Sequence, residues 1–303
     1  MLFEQLQRHQ PSRLSQIHDP LLKKHNIELW LKRDDELHLI ISGNKWRKLK
    51  YIIEHALNLN KDTIISMGGN YSNHLHALAY TGYLLNIKTI GIIRGERTQT
   101  PSLIDMQNWG MELRFISRSD YRLLRENKYP LDLKPNDYWL PEGGAEQLAL
   151  KGVAEIIEEI NIPYDLICVA CGTGTTLAGL ITAANKNAEL LGFAAFKHAE
   201  FLSNDIKKLL PQHYENWQIN HNYHFGGFAK TKSELMQFID EFKKQHDIQL
   251  EPVYTAKMLY GLYNLIQQGL LNNKRIIAIH TGGLQGNRGF NDADAKDDDH
   301  NKV

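Results

Sequence analysis

"LICVACGTGTTLAGL", Leu166 to Leu180, decides the fold. Leu166–Ala170 is an unbroken apolar run of strand length, as expected for a strand buried on both faces. Cys171-Gly172-Thr173-Gly174-Thr175-Thr176 follows, and a helix then starts. Glycines there let the backbone approach a ligand closely, and the amides at the helix start, helped by its dipole, hold an anion. The threonine hydroxyls add donors, so the loop suits a phosphate group. A Walker loop would end in Gly-Lys-Ser/Thr, and none follows. The dinucleotide fingerprint wants Gly or Ala where Leu177 stands and an acid about 20 residues on, and Phe193 to Lys197 offers none. A nucleotide is therefore disfavoured on two counts. A Gly-rich corner with no ligand stands beside the phosphate cup as the alternative.

Working outward, short apolar runs alternate with amphipathic segments almost throughout. Candidate strands are 27–31, 63–67, 89–93, 112–116, 138–140, 166–170, 190–196 and 275–280. Leu235, Phe238, Ile239 and Phe242 predict one helix, with Ser233 as its N-cap; Leu259, Leu262, Tyr263 and Ile266 predict another, stopped by Gly269. The fold class is α/β, with mainly parallel sheets covered by helices on both faces; two sheets are more comfortable than one. No Pro/Gly/Ser-rich linker or internal repeat marks a boundary.

The chain has 303 residues, 42% hydrophobic and 23% charged, with 35 basic against 35 acidic side chains. No basic stripe with interleaved aromatics predicts nucleic-acid binding. No apolar run approaches the roughly 20 residues that cross a bilayer, and the first 14 residues lack a leader's apolar stretch. The two cysteines, Cys168 and Cys171, read as one core and one loop thiol rather than a zinc or redox pair, which predicts a reduced, cytoplasmic protein. The polar tail, residues 291–303, is expected to be disordered.

Two further glycine clusters stand where strands feed helices, "SMGGNYSNHLHALAY" (Ser66–Tyr80) and "IHTGGLQGN" (Ile279–Asn287). A fourth stretch, "SGNKWRKLKY" (Ser42–Tyr51), puts four cations into ten residues and seats Lys45 directly after a Gly-Asn turn. Such a cluster usually coats a solvated helix, and that reading is kept for Lys50.

In order along the chain, "SGNKWRKL", "GGNYSNH", "CGTGTTLAG", "EPVYTAK" and "IHTGG" resemble the pyridoxal-phosphate enzymes of the tryptophan-synthase-β superfamily (fold type II). More narrowly, they resemble the 1-aminocyclopropane-1-carboxylate deaminase/D-cysteine desulfhydrase family. The resemblance spans Ser42 to Gly283 and implies a pyridoxal 5'-phosphate-dependent lyase or deaminase acting on a small amino acid. It implies that Lys45 bonds the cofactor's aldehyde carbon, which demands a neutral amine although free lysine has a pKa of about 10.4. Burial and nearby cations, Arg47 and Lys48, would favour the neutral form. It also implies that Lys48, Gly172, Thr173, Gly174, Thr175 and Thr176 hold the phosphate, that Asn73 meets the ring hydroxyl and that Thr281 meets the ring nitrogen. Ser72 would face the substrate carboxylate and shuttle protons, and Tyr254 would be a second catalytic side chain. A threonine cannot keep the ring nitrogen protonated as a carboxylate does, which suits elimination.

Deaminases of this family typically carry Glu after the "PVY" tyrosine and Leu after the late histidine; here Thr255 and Thr281 stand in those places, as in the desulfhydrase branch, and His74 points the same way. The resemblance therefore implies β-elimination from D-cysteine, with Lys45 as the α-proton base. Deamination of the cyclopropane acid and a non-catalytic ligand-binding relative are the alternatives. Tyr71, His76 and Phe228 depart from the family's pattern. The implied organisation is a large discontinuous domain, residues 1–47 plus 152–303, enclosing a small α/β domain, 48–151, with the cofactor in the cleft and a homodimer as the assembly.

Overall fold

The computed structural model describes residues 11–41 and 43–290. The leader reading of the first residues, Ser42 of the lysine turn and the expected disorder of 291–303 lie outside the described residues, save that Pro11–Leu14 of the leader stretch is described. The strands are β1 (Leu14–Ile17), β2 (Glu28–Lys32), β3 (Thr63–Gly68), β4 (Lys88–Arg94), β5 (Glu112–Ile116), β6 (Asp137–Leu140), β7 (Leu166–Cys171), β8 (Glu189–Ala194), β9 (Trp217–Asn220) and β10 (Arg275–Ile279). The helices are α1 (Pro20–Lys24), α2 (Asn44–Asn58), α3 (Asn73–Leu85), α4 (Pro101–Asn108), α5 (Arg118–Arg125), α6 (Gln147–Glu158), α7 (Thr175–Ala183), α8 (Leu202–Leu209), α9 (Ser233–His246) and α10 (Thr255–Gln267).

The strands form two sheets, one ordered β1-β2-β10-β7-β8-β9 and one ordered β5-β4-β3-β6. Among the described residues only the β1–β2 pair is antiparallel. β7 is buried at every position because helices cover both faces of its sheet, as its unbroken apolar run requires. Its alternation divides the core: Leu166, Cys168 and Ala170 join one apolar cluster, Ile167, Val169 and Cys171 another. Each fully buried Leu or Ile contributes about 1.5–3 kcal/mol, so each strand of this kind is a major anchor. β1 and β9 escaped the sequence reading. Both sit at sheet edges, are only partly buried and lack the long apolar run that betrays a central strand.

Both sheets reverse direction of growth beside one central strand, β7 in one and β3 in the other. The chain lays β7, β8 and β9 outward and then returns β10 to the other side of β7; it lays β3, β4 and β5 outward and returns β6 to the other side of β3. Such switch points open a crevice beyond the strands' carboxyl ends. Four loops therefore border the two crevices: 172–174 after β7, 281–283 after β10, 69–72 after β3 and 141–144 after β6. α2 and α6 bridge the sheets, and they pack so closely that a methyl group on Gly152 would lie 1.8 Å from the Arg47 carbonyl oxygen.

Details differ from the sequence reading at element ends. Ser233 is the first residue of α9, and its N-cap is Lys232, which makes no side-chain cap bond. Gly269 does stop α10, one residue past its C-cap, with φ 72°. Cys171 closes β7 instead of opening the loop, and both thiols are free and buried.

Candidate active site

α2 begins at Asn44, so Lys45 occupies its first turn and not the preceding corner. Gly43 makes that corner. Its φ is 68°, and a methyl group there would lie 1.8 Å from the Thr281 carbonyl oxygen, so no side chain fits. The close approach brings the Asn44 amide within 3.3 Å of that oxygen and joins the lysine turn to the loop after β10. The Asn44 side chain then donates to Thr176 Oγ1 at 2.8 Å, joining both to the start of α7.

Helical spacing sorts the four cations. At about 100° per residue, Lys45 and Lys48 share one face of α2, and Arg47 and Lys50 share the opposite one. Arg47 Nε meets Asp34 Oδ2 at 2.7 Å and its Nη1 meets Glu159 Oε1 at 2.7 Å; Lys32 pairs with the same Glu159 at 2.5 Å. Burial works against the charge of Arg47, yet Asp34 and Glu159 together hold its pKa above the ordinary value. Lys50 is buried and ion-paired with Glu155. The expectation that Lys50 faces water is thus wrong: α6 supplies an acid exactly where the sequence pattern shows only a cation run. Arg47, held by two carboxylates, also does not figure in depressing Lys45.

Lys45 and Lys48 have no hydrogen bond and no ion pair among the described residues. Burial brings Lys45 down to about 8, with Glu142 opposing. Burial and then the charge of Lys45 hold Lys48 well below its ordinary range. Lys48 is only 2% exposed. Two amines in a low-dielectric pocket, with no acid at bonding distance among the described residues, are costly unless an anion arrives or protons leave.

The cup of the sequence reading lies beside them. Gly174 is the N-cap of α7 in left-handed conformation, and Thr175 and Thr176 open the helix, so their amides have no intrahelical partner. Thr173 Oγ1 and Thr175 Oγ1 are 2.9 Å apart, and Gly172 faces the Tyr254 ring. Tyr254 is half-buried, its phenol raised by burial, and Phe228, half exposed, meets it edge-on at 6.0 Å. Glu251, pushed up to about 7 by burial, accepts the amides of Val253, Tyr254 and Thr255 and so fixes the turn that carries Tyr254. Thr255 Oγ1 is buried without a hydrogen-bond partner.

From the other sheet come Ser72 and Asn73. Ser72 caps α3 by accepting the Leu75 amide at 3.2 Å, which leaves its hydroxyl hydrogen available. Asn73 Oδ1 accepts from Gln285 Nε2 at 2.5 Å. His74 bonds Ser66 Oγ at 2.9 Å, and burial, then the charges of Lys45 and Lys48, keep it neutral at ordinary pH. Its neighbour two residues on, His76, instead bonds Asp105 at 2.9 Å. Thr281 is buried in the loop after β10.

The sequence reading missed the loop after β6. A methyl group on Gly143 would lie 2.8 Å from Thr173 Cγ2, and one on Gly144 would lie 3.4 Å from His74 Cε1. Glu142 accepts from Tyr121 at 2.7 Å, and its charge favours the protonated form of Lys45. "PEGG" is a strand-to-turn signal like the other three, but β6 has just four residues, and that weak strand hid it.

The donor set fits pyridoxal phosphate. It supplies the buried Lys48 amine, which has no ion-pair partner among the described residues, and helix-start amides for a dianion, and the half-buried Lys45 amine, lowered to about 8, to attack an aldehyde. The comparisons agree. The family model for pyridoxal-phosphate dependent enzymes matches residues 12–282. A bifunctional D-cysteine desulfhydrase/1-aminocyclopropane-1-carboxylate deaminase of Arabidopsis thaliana is 30% identical, over 86% of this chain and 73% of its own. A D-cysteine desulfhydrase of Klebsiella pneumoniae is 25% identical, over 87% of this chain and 89% of its own. The crystal structure of an ACC deaminase homologue superimposes with a TM-score of 0.78 at 26% identity, covering 96% of this chain and 97% of that one. The chain therefore belongs to the pyridoxal-phosphate-dependent enzymes, as a fold type II lyase/deaminase of the 1-aminocyclopropane-1-carboxylate deaminase/D-cysteine desulfhydrase family.

Proposed function

We propose that this enzyme eliminates thiolate from D-cysteine, giving pyruvate, sulfide and ammonia with the uptake of one water. The observation that carries this reading is Thr255, buried at the start of α10 with its hydroxyl unpartnered, together with Thr281 in the loop after β10. The family's deaminases put a carboxylate and a leucine at these positions.

In this reading Lys48, the amides of Gly172 to Thr176 and the hydroxyls of Thr173, Thr175 and Thr176 hold the phosphate. Asn73 holds the ring hydroxyl, Thr281 the ring nitrogen and Lys45 the aldehyde carbon. When bound, the cofactor withdraws electrons from the substrate's α-carbon and so makes its proton removable. Lys45 Nζ takes that proton. Its lowered pKa leaves an appreciable neutral fraction near neutral pH, where a free lysine would be almost wholly charged. The free hydroxyl hydrogen of Ser72 binds the substrate carboxylate at the start of α3, where the helix amides favour an anion. Tyr254, kept protonated by burial, donates to the departing sulfur. Phe228 screens that side from water.

The same reading divides the chain into domains at 47/48 and 151/152; the separation of the strands into two sheets supports it, and both cuts lie within helices, α2 and α6. Two free, buried thiols support a reducing, cytoplasmic setting, and a homodimer is the assembly that the family resemblance supports. Among the described residues no helix is long and apolar enough to cross a membrane.

The test is pyruvate release from D-cysteine against release from 1-aminocyclopropane-1-carboxylate under equal loading. Turnover of the cyclopropane acid alone would overturn the assignment; the ACC deaminase homologue among the solved structures favours that second reading.

A further inference from the structure

Gln285 lies in the short 3-10 turn Leu284–Asn287 that follows Thr281-Gly282-Gly283. Both ends of its amide are engaged. Oε1 accepts from Ser102 Oγ at 2.5 Å and from Arg288 Nη2 at 3.3 Å. Nε2 donates to Asn73 Oδ1 at 2.5 Å and to the Tyr71 carbonyl at 3.3 Å. Two of these partners cannot exchange roles, because a guanidinium only donates and a carbonyl only accepts. The amide of Gln285 can therefore face one way only. Arg288 is itself held by Asp105 at 2.6 Å, and His76 holds Asp105 at 2.9 Å, so a carboxylate anchors the whole chain of bonds.

This polarity passes to Asn73. Since Gln285 brings a donor, Asn73 must answer with its oxygen, and Nδ2 is left on the other side. There it lies against the loop after β10, 2.7 Å from where a methyl group on Gly283 would stand. Among the described residues no acceptor meets it.

We propose that Gln285 is a positioning residue: it locks the amide of Asn73 so that an N–H, never a carbonyl oxygen, is presented to the oxygen on the cofactor's ring. This rests on the reading above that places Asn73 at that oxygen. A donor there stabilises the oxygen's anionic form; a carbonyl would repel it. Gln285→Glu keeps shape and retains the bonds from Ser102 and Arg288, but it replaces the donor facing Asn73 by an acceptor. Asn73 must then turn its nitrogen inward to residue 285 and its oxygen to the cofactor.

The experiment titrates full-length apoprotein with pyridoxal 5'-phosphate and follows the visible absorbance of the loaded protein against pH. Wild type, Asn73→Ala, Gln285→Glu and the double variant are compared, with apoprotein melting recorded for each. Asn73→Ala is expected to weaken cofactor binding about tenfold, as loss of a hydrogen bond to a charged group does, and to raise the pKa of the absorbance change by about one unit. Gln285→Glu is expected to match or exceed both shifts, and the double variant to be no worse than Asn73→Ala, since the two act on one bond. Shifts in Asn73→Ala with none in Gln285→Glu would overturn the role of Gln285 and leave the site reading intact. No shift in Asn73→Ala would overturn the placement of Asn73 and the proposal with it. Additive effects would mean that Gln285 acts elsewhere, and would also overturn it. Should Gln285→Glu melt early, Gln285→Met, which removes both bonds without a charge, carries the test: it is expected to shift both readouts less, in the same direction, and an unshifted result would overturn the proposal.

Discussion

The two faces of α2 treat buried cations in opposite ways. Towards β2 and α6, Arg47, Lys32 and Lys50 meet Asp34, Glu159 and Glu155 at bonding distance. Towards the glycine loops, Lys45 and Lys48 meet no acid at bonding distance among the described residues. One face is complete without a ligand. The other leaves two amines unanswered, and this incompleteness is what marks it as the candidate site. The difference teaches that charge count along a helix says little; the partner supplied across the groove separates structural from chemical cations.

The comparison is broken most severely at Lys45. Lys45→Ala should lower pyruvate release by about 10³-fold or more, the order expected for a general base that also bonds the cofactor. Its melting temperature as apoprotein should stay the same or rise, since a desolvated amine with no partner is removed. In the wild type, the rate of cofactor uptake should climb about tenfold per pH unit below 8 and level off above it, because only the neutral amine attacks. The sign for stability is the same: a lysine whose folded pKa is depressed destabilises the fold while protonated, so that penalty fades as pH rises from about 8 towards the free lysine value. A uptake rate flat from pH 6 to 9 would contradict the depressed amine.

Arg47→Met tests the complete face. It leaves the buried Asp34 and the half-buried Glu159 with Lys32 and Ser12 to answer them, and should cost about 3 kcal/mol by urea unfolding. Loss of activity in that variant should follow loss of fold, with cofactor affinity unaltered in whatever remains native. A stability change under about 0.5 kcal/mol would show that the cluster is only a surface network.

Lys48→Met sharpens the contrast at the smallest amplitude. Apoprotein stability should hold or rise slightly, whereas inorganic phosphate, which should raise the wild-type melting temperature by binding only the folded state, should no longer do so. Equal stabilisation of variant and wild type by phosphate would remove Lys48 from the cup.

Much of this was legible in sequence for a physical reason. Central parallel strands are buried on both faces and so read as continuous apolar runs, and a Gly/Thr loop between strand and helix offers amides and hydroxyls suited to an anion. β1 and β9 were illegible because edge strands need no such run, and "PEGG" was hidden by the four-residue strand before it. Lys50 was misread because helical spacing shows which face a cation occupies, but not what the neighbouring helix presents to it.

By itself the sequence determined the α/β class and singled out the Gly172–Thr176 loop and Lys45 as the candidate site, since each follows from local pattern and chain order. Only the tertiary structure decided which cations are neutralised, that Gly143 packs against Thr173, and that Gln285 bonds Asn73. Those facts depend on contacts between residues far apart in the chain, such as Gln285 with Asn73 and Arg47 with Glu159, and no local spacing encodes a partner that the fold alone brings within reach.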